Sequence, residues 1–440
     1  MPDFRSLPKV DALSRDERLR HYPERVRVQA ARVAVERARL EVGAGRAARA
    51  EDLAVSEAEA LMGFSMQSAI NASGVILHTG LGRARLAPSV VEHLTAVASG
   101  HSVVEYDLQS GARGDRQEHV RAMLCALTGA EDAMVVNNAA AGVLLTLTAL
   151  ARGADVVLSR GQMVEIGGSF RIPDVVRQSG CSLVEVGCTN KTRLSDYEEV
   201  VDFDTGAILR CHTSNFKIIG FTSQPTLEEL VQLGSEWHVP VIDDQGTGCL
   251  VDTARYGIAS QPTVQDSISG GATVAIASCD KLLGGPQAGM IVGSASAIAD
   301  IKRHPLARAV RVDKLTLAAL EATLKLYVQG REREIPTLKY LSRPIEEVRQ
   351  LAERMAACVR NSVVEEGETE IGGGSAPGTS VATYRLGFST ENADDVARAL
   401  RTGDPPIVGR IESGRVWLDP RTLEDNEVEI VLCRLKSLNC

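Results

Sequence analysis

From about residue 70 onward, short runs of β-branched and other apolar residues alternate with stretches of helical periodicity. Seven of these runs have the length and composition of buried strands: Ala133–Val136, Asp155–Ser159, Ser182–Val186, Ala207–His212, Val239–Asp243, Thr273–Ser278 and Met290–Val292. Helical patterns lie between them, and the best marked covers 226–238, where Thr226 and Glu229 have the spacing of a capping box. The alternation predicts an α/β fold with a mostly parallel central sheet, covered by helices on both faces.

Segments of different character flank this region. Helical periodicity over 15–41 and 51–62 predicts a small helical domain at the start of the chain. A pattern over 306–330 predicts a long helix that leads out of the sheet domain. The last third mixes helical and strand-like patterns: 344–361, Thr379–Leu386, 392–401 and Arg415–Leu418. We therefore expect a helical, an α/β and a smaller α+β domain: 1–65, 66–325 and 326–440.

Charge is distributed unevenly along the chain. The 440 residues carry a net charge of −9, which argues against a protein that binds nucleic acid over its whole surface. Residues 1–50 nevertheless hold 12 Lys or Arg against 7 Asp or Glu. The arginines of 15–41 are either the solvated face of a packing or dimerisation helix or a nucleic-acid contact, and composition alone favours the first.

The nine cysteines form no C-x-x-C pair and are odd in number, so we expect reduced thiols, no structural zinc or other metal, and a cytoplasmic location. The N-terminus lacks the apolar segment of a secretory signal. The most apolar stretch, 133–151, contains Asn137 and Asn138 and is better explained by a strand, a turn and a buried helix than by a membrane span.

One lysine stands at a position suited to chemistry. Lys281 follows the predicted strand Thr273–Ser278 and precedes a Gly-Gly-Pro turn. A lysine at the carboxyl end of a strand can enter the crevice where α/β sheets bind ligands, and burial there would leave a nucleophilic amine suited to a Schiff base. The alternative is a surface lysine before a turn, and the residues alone favour neither.

Two further strand ends carry polar groups. Val239–Asp243 runs into Asp244 and a Gly-x-Gly turn, where a carboxylate could pair with a pyridinium nitrogen, bind magnesium or cap a helix. Asn137 and Asn138 follow another strand and open a helix of small residues, whose free N–H groups could bind a phosphate.

Three arginines could bind an anion. Arg83 lies in a glycine-rich segment, and Arg308 and Arg311 are spaced three residues apart within the predicted helix, on one face. Salt bridges or a solvated face explain such arginines equally well, and without further information they are the simpler interpretation.

Taken together, these segments resemble the bacterial L-seryl-tRNA(Sec) selenium transferase family, enzymes of the fold-type-I pyridoxal-phosphate class. The matching runs follow the expected order from about residue 65 to 420: Ile70–Thr79, Glu105–Leu108, Val164–Pro173, His212–Asn215, Asp280–Gly289, Arg311–Leu320 and Leu400–Pro406. The helical N-terminal region also looks like the family's own small domain.

The resemblance implies a cofactor and the residues that hold it. Lys281 would form the internal aldimine with pyridoxal 5′-phosphate, and Asp244 would face its pyridine nitrogen. Three residues would lie near the cofactor phosphate: Asn138, Ala139 and Ser278. Catalytic and neighbouring positions carried over from the family motifs are Asp280, His212, Arg83, Arg308 and Arg311, of which the arginines would bind anions, including the selenium donor.

The resemblance also implies a reaction and partners. L-Seryl-tRNA(Sec) would become L-selenocysteinyl-tRNA(Sec) through an aminoacrylyl intermediate, with selenophosphate as the selenium donor. The basic N-terminal helix would grip the tRNA, and the chain would form dimers that associate into a ring-like decamer, with active sites at dimer interfaces. The alternative is a pyridoxal-phosphate lyase that eliminates a β-substituent (C–O or C–N) from a free amino acid or amino sugar phosphate.

Four residues depart from the family pattern near the expected site. Gly80 stands where Asn is expected, Cys279 where Gly is usual, Thr247 where Ser is usual, and Gln245 replaces an apolar residue. These departures concern fine substrate specificity rather than the cofactor chemistry.

Overall fold

The computed structural model describes residues 7–168, 170–259 and 261–438. The chain divides into two compact units, Met1–Ala69 and Ile70–Cys440. The expected further division of the second unit at 325/326 stays a prediction. Within the described residues, no helix is both long and apolar enough to cross a membrane.

The first unit is helical: α1 (Val10–Leu13), α2 (Glu24–Gly43) and α3 (Ala50–Met62). Its core is built largely from alanine, with Ala30, Ala34 and Ala38 of α2 buried in one cluster with Ala54 and Ala58 of α3. The prediction that a helix begins at residue 15 was wrong. Pro23 precedes α2, and proline disfavours a helical conformation of the residue before it. Between residues 15 and 23 the described chain therefore forms only a short 3₁₀ turn, at Glu17–Leu19.

The second unit is built on a seven-stranded sheet, and its strands are the seven that the sequence predicts. They are β1 (Asp132–Val136), β2 (Asp155–Ser159), β3 (Ser182–Val186), β4 (Thr205–Cys211), β5 (Val241–Gly246), β6 (Val274–Ser278) and β7 (Gly289–Gly293). Their order is β1-β7-β6-β5-β4-β2-β3. Only β7 runs antiparallel to its neighbours, so the prediction of a mostly parallel sheet is confirmed.

Helices cover both faces of this sheet. They are α4 (Pro88–Ala98), α5 (Glu118–Thr128), α6 (Ala139–Leu150), α7 (Ile172–Gln178), α8 (Leu194–Glu198), α9 (Leu227–Trp237), α10 (Val264–Ser269), α11 (Ala295–Arg303), α12 (Leu306–Ala309), α13 (Lys314–Val328) and α14 (Pro336–Ser342). Successive side chains of each strand point to opposite faces of the sheet, and an apolar core lies on each face. Ala277 of β6 packs in one with Leu124 and Leu320, and Ile276 packs in the other with Leu147.

The predicted capping box forms as expected, since the Thr226 side chain accepts from Glu229 N while the Glu229 side chain accepts from Thr226 N. The predicted continuous helix over 306–330 was wrong. Asp313 ends the irregular segment between α12 and α13 and caps α13, accepting hydrogen bonds from Leu315 N at 2.7 Å and Thr316 N at 3.1 Å. Arg311 lies in that segment, so it shares no helix face with Arg308.

The C-terminal region contains α15 (Ile345–Ala356), α16 (Ala393–Arg401) and α17 (Asp425–Ser437) around a four-stranded antiparallel sheet. Its strands are β8 (Ser362–Glu370), β9 (Ser380–Ser389), β10 (Arg410–Glu412) and β11 (Arg415–Leu418), in the order β8-β9-β11-β10. Two-residue strands complete the structure: Ile70–Asn71 pairs in parallel with Ile407–Val408, and Glu165–Ile166 pairs with Phe170–Arg171. The first of these pairings joins the beginning of the second unit to its end.

Candidate active site

A cavity of about 300 Å³ opens beside the carboxyl ends of β4, β5 and β6, the place where parallel sheets bind ligands. Eight of the ten predicted site residues line it: Arg83, Asn138, Ala139, His212, Asp244, Ser278, Asp280 and Lys281. Strand pairing explains the convergence. Cys211 at the end of β4 pairs with Asp244, and Asp244 pairs with Ile276 of β6.

Lys281 is only 4% exposed, so the surface-lysine interpretation is wrong. The backbone after it is fixed by hydrogen bonds from Leu282 N to Thr247 O and from Gly284 N to Lys281 O. Burial lowers the pKa of the Lys281 amine; Asp244 opposes this shift and Arg83 adds to it. A lysine with a lowered pKa has a larger neutral fraction, which is the form that attacks a carbonyl.

Two neighbouring carboxylates on β5 have different surroundings. Asp243 is already satisfied, because one oxygen pairs with Arg210 Nη1 at 3.0 Å and the other accepts from Ser267 Oγ at 2.6 Å. Asp244 lines the cavity, and its Oδ1 is buried without a hydrogen-bond partner among the described residues. Burial raises the pKa of Asp244 to about 7, while Lys281 lowers it and Asp243 raises it further. Asp244 is therefore the carboxylate that remains free for a ligand.

The N-terminus of α6 forms another wall. Asn138 caps the helix by accepting a hydrogen bond from Ala141 N at 2.9 Å. The helix supplies no partner for the N–H groups of Ala139 and Ala140, which line the cavity and suit an anion. A Cβ at Gly289 would lie 2.4 Å from the Asn138 carbonyl carbon. The close contact between β7 and the start of α6 therefore requires glycine at this position.

Arg83 stands at the edge of the cavity in an unusual conformation. Its φ of 61° lies in the left-handed region, a strain that costs roughly 1–3 kcal/mol. Asp280 holds it there, since Arg83 Nη1 lies 2.8 Å from Asp280 Oδ2 and Ala84 N donates to Asp280 O. Arg83 Nε is buried without a partner among the described residues. Asp280 thus positions Arg83 and leaves part of the guanidinium free for an anion.

Two predicted anion-binding arginines are not brought to this cavity. Arg308 and Arg311 are exposed and absent from its lining. Arg311 Nη1 lies 3.5 Å from Glu105 Oε1, a carboxylate that also pairs with Arg113 and Arg116. Of the three predicted anion-binding arginines, therefore, only Arg83 lines the cavity of its own chain.

The cavity also contains residues that the sequence did not single out, among them Cys211, Ser214, Phe170 and Gln287. Each lies in or beside a segment that matches the family pattern, which was the available signal. His212 N donates to Asp244 O at 2.9 Å. Burial lowers the pKa of His212, which favours a neutral imidazole at this wall.

The departures from the family pattern are accommodated locally. Buried Gln245 donates to Thr247 Oγ1 at 2.6 Å and accepts from Thr247 N and Gly248 N, so these two departures form one hydrogen-bonded turn. Cys279 is fully buried in an apolar cluster and does not line the cavity, and neither does Gly80. None of the four therefore replaces a cavity-lining group.

Comparison with known proteins decides the family. A sequence model described as L-seryl-tRNA selenium transferase matches residues 69–424. The chain belongs to the L-seryl-tRNA selenium transferase family. It is 43% identical to the L-seryl-tRNA(Sec) selenium transferase of Geobacter sulfurreducens, with 100% of both chains covered, and 42% identical to that of Carboxydothermus hydrogenoformans, with 97% and 96% covered. Among solved structures, D-glucosaminate-6-phosphate ammonia-lyase shares the fold at a TM-score of 0.60 and 22% identity, with 85% of this chain and 96% of that chain covered.

The cofactor of this transferase family is pyridoxal 5′-phosphate, and the cavity fits it. The unpartnered Asp244 Oδ1 suits a protonated ring nitrogen, and the Lys281 amine suits the cofactor aldehyde. Ala139, Ala140 and Ser278 line the side suited to the phosphate. The chain is therefore a pyridoxal-phosphate-dependent transferase.

The two aspartates of β5 make a matched pair of variants. We expect Asp244→Asn to lower the turnover number at least ~100-fold, because the neutral amide cannot hold a protonated ring nitrogen. Asp243→Asn should instead lower the free energy of unfolding by about 1–3 kcal/mol, because Arg210 loses a buried charged partner. Turnover and urea unfolding of both variants check this. Unchanged turnover in Asp244→Asn would contradict the assignment.

The pKa of Asp244 also predicts a pH dependence. Because the folded pKa is raised to about 7 from an ordinary value of 3.8, its stabilising contribution is present at low pH and is lost as pH rises through about 7. Cofactor-free Asp244→Asn should therefore gain stability relative to cofactor-free wild type between pH 5 and pH 8. Urea midpoints at the two pH values measure this, and a difference that did not change with pH would refute it.

Proposed function

We propose that this chain converts L-seryl-tRNA(Sec) to L-selenocysteinyl-tRNA(Sec) at the Lys281 cavity. The observation that carries the proposal is the family match over residues 69–424 with relatives of that activity at 42–43% identity over nearly the whole chain. The Lys281–Asp244 arrangement supports it because it provides a buried amine and a buried acceptor atom, Asp244 Oδ1, in one cavity.

Different residues of the chain have different roles in the proposed reaction. Bound pyridoxal phosphate supplies an electron sink for the charge left when the serine α-proton is removed. Asp244 holds the ring nitrogen in its protonated form. The Lys281 amine, of lowered pKa, accepts the α-proton and can return a proton during loss of the β-hydroxyl. The apolar lining from Val164, Ile166 and Phe170 limits water at the reacting carbon.

We propose selenophosphate as the selenium donor. A small dianion needs cationic or N–H donors, and Arg83 offers a guanidinium whose Nε has no partner among the residues described. The Arg83–Asp280 bond at 2.8 Å fixes this guanidinium at the cavity edge, so the donor can bind beside the β-carbon without displacing a group from the Lys281 wall.

We also propose that a second copy of the chain takes part in each site. The exposed Arg308 and Arg311 match the family's arginine positions but do not line their own chain's cavity. Homo-oligomers built from dimers would let them contribute to a neighbouring site, as the resemblance implies. We likewise propose a cytoplasmic location, because the proposed substrate is a charged tRNA.

The N-terminal helical domain, predicted at 1–65, is proposed to bind the tRNA. Arg25, Arg32 and Arg39 of α2 are seven residues apart, which is close to two helical turns, so they share one face. All three are exposed, and none forms an ion pair within the part of the chain that the structure describes. A stripe of free guanidiniums suits the phosphates of an RNA backbone.

Turnover of the charged tRNA tests the proposed function directly. Purified protein with pyridoxal phosphate, seryl-tRNA(Sec) and selenophosphate should form selenocysteinyl-tRNA(Sec), and Lys281→Ala should lose at least ~1,000-fold in rate because both the cofactor anchor and the base are removed. Lys325→Ala, a surface lysine on α13, is the control and should remain active. Release of product from a free amino acid or amino sugar phosphate, with no selenocysteinyl-tRNA, would identify a lyase instead.

The arginine stripe predicts a salt-dependent contact. Replacing Arg25, Arg32 and Arg39 together by Ala should weaken tRNA binding and reduce the slope of log affinity against log salt by about 2–3, because roughly one counterion is released per phosphate contact. Filter binding at several salt concentrations measures this. Arg20→Ala is the control in the same unit, since Arg20 already pairs with Glu17. An unchanged slope in the triple variant would place the tRNA contact elsewhere.

A further inference from the structure

A second cavity, of about 450 Å³, adjoins the Lys281 cavity. Ser214 lines both of them, and it lies between Gly246 of the first cavity and Gly374 of the second. One wall of the second cavity consists of Ser214 and Asn215, and the other is formed by the end of β8 and the turn that follows it. We call this second space the turn cavity.

The turn is built from residues whose backbone only glycine adopts readily. Gly372, Gly373 and Gly374 have φ values of 76°, 63° and 67°. A Cβ at Gly372 would lie 2.3 Å from Val75 Cγ1, and one at Gly373 would lie 3.0 Å from Leu77 Cβ. The turn is thus packed closely against 75–77, and side chains at these three positions do not occupy the space beside the site.

One side chain of the turn lacks the partner that its burial demands. Ser375 lines the turn cavity and is 2% exposed, and its Oγ has no hydrogen-bond partner among the described residues. A buried hydroxyl without a partner is unfavourable, and a ligand hydroxyl or amine in the cavity would satisfy it. This observation is independent of the shape of the turn.

The charges of the turn cavity indicate what kind of ligand it takes. Glu368 and Glu370 line it, and neither carboxylate forms an ion pair or side-chain hydrogen bond within the described ranges. Two free carboxylates repel a phosphate and attract hydroxyl and amino donors. The cavity is therefore suited to an uncharged group rich in donors.

Beside the turn cavity, lysines and an exposed aromatic ring take the place of the carboxylates. A Cβ at Gly378 would lie 3.9 Å from Lys217 Cδ, which places this lysine beside the turn. Farther along the same loop, Phe221 is 88% exposed, and Lys191 Nζ lies 6.0 Å from its ring centroid. Cations and an exposed ring suit the phosphates and bases of a single strand.

We propose that the turn cavity binds the 3′-terminal adenosine of the aminoacyl-tRNA. This inference rests on the proposed function: the serine must lie at Lys281 while its carboxyl group is esterified to the terminal ribose, so the nucleoside must occupy a space that joins the Lys281 cavity. The ribose hydroxyl and the adenine amino group donate to Glu368 and Glu370, and Ser375 Oγ pairs with the ribose. Lys217 and Phe221 meet the preceding nucleotides.

Two small probes that lack the tRNA body test this site on the holoenzyme. One is 3′-deoxy-3′-(L-serylamino)adenosine and the other is L-serine methylamide, which keeps the serine and omits the nucleoside. Calorimetric titration should show that the adenosine probe binds at least ~10-fold more tightly, a difference of about 1.4 kcal/mol. The double variant Glu370→Gln/Ser375→Ala should bring its affinity close to that of the methylamide and leave the methylamide unchanged.

Glu366→Gln is the matched control, because Glu366 lies on the same strand and pairs with Tyr384 instead. Equal affinity of the two probes for wild type, or an unaltered preference in the double variant, would overturn the proposal. With seryl-tRNA(Sec), the double variant should raise KM with little change in kcat. Normal conversion of seryl-tRNA(Sec) by a wild type that does not distinguish the probes would reject the adenosine site alone, whereas absence of conversion would reject the proposed function.

Discussion

The structure of the site depends on burying a lysine and an aspartate together at the end of a parallel sheet. Lys281 is 4% exposed and Asp244 Oδ1 is buried in the same cavity, and burial shifts the pKa values of the two groups in opposite directions, both toward the neutral form. Removing either partner would leave an uncompensated group in a dry environment. The pairing of β5 with β6 fixes the relative positions of the two strand ends. Apolar packing on both faces of the sheet stabilises this pairing.

The remaining charges near the site are distinguished by whether they already have partners. Asp243 is neutralised by Arg210, and Asp280 by Arg83, so these residues fix geometry. Asp244 Oδ1, Arg83 Nε and the α6 N-terminus keep unused hydrogen-bonding capacity and are available to a ligand. Pyridoxal phosphate carries complementary groups: an aldehyde for the amine, a ring nitrogen for the carboxylate and a phosphate for the helix N-terminus. The pattern of free and satisfied groups thus matches the cofactor of the family.

Much of this arrangement could be predicted from sequence because it depends on strand ends. Composition marks buried strands, and the residues directly after them must meet at one edge of a parallel sheet, which brought Lys281, Asp244 and Asn138 together. The residue pattern alone did not decide between Asp243 and Asp244, and only the resemblance to the family pointed to Asp244. The structure gives the physical reason, because Asp243 is already paired with Arg210 and Ser267. The residue pattern also missed the break at 310–313, where apolar periodicity continues although Asp313 starts a new helix.

Contacts and side-chain orientations that depend on the folded chain explain the other differences. Gln245 and Thr247 hydrogen-bond to each other in one turn, and Cys279 faces the core although its neighbours Ser278 and Asp280 face the cavity. Neither feature is visible in a linear pattern. The turn cavity likewise joins Ser214 to residues more than 150 positions later, so no local motif could have indicated it.

The central claim is that Lys281 anchors the cofactor, and a covalent map tests it most directly. Purified holoenzyme reduced with borohydride, digested and analysed by mass spectrometry should carry a pyridoxyl-phosphate adduct on the peptide that contains Lys281. Cofactor-free protein treated in the same way should carry none. An adduct confined to another lysine, or no adduct in protein that retains pyridoxal phosphate, would contradict the account.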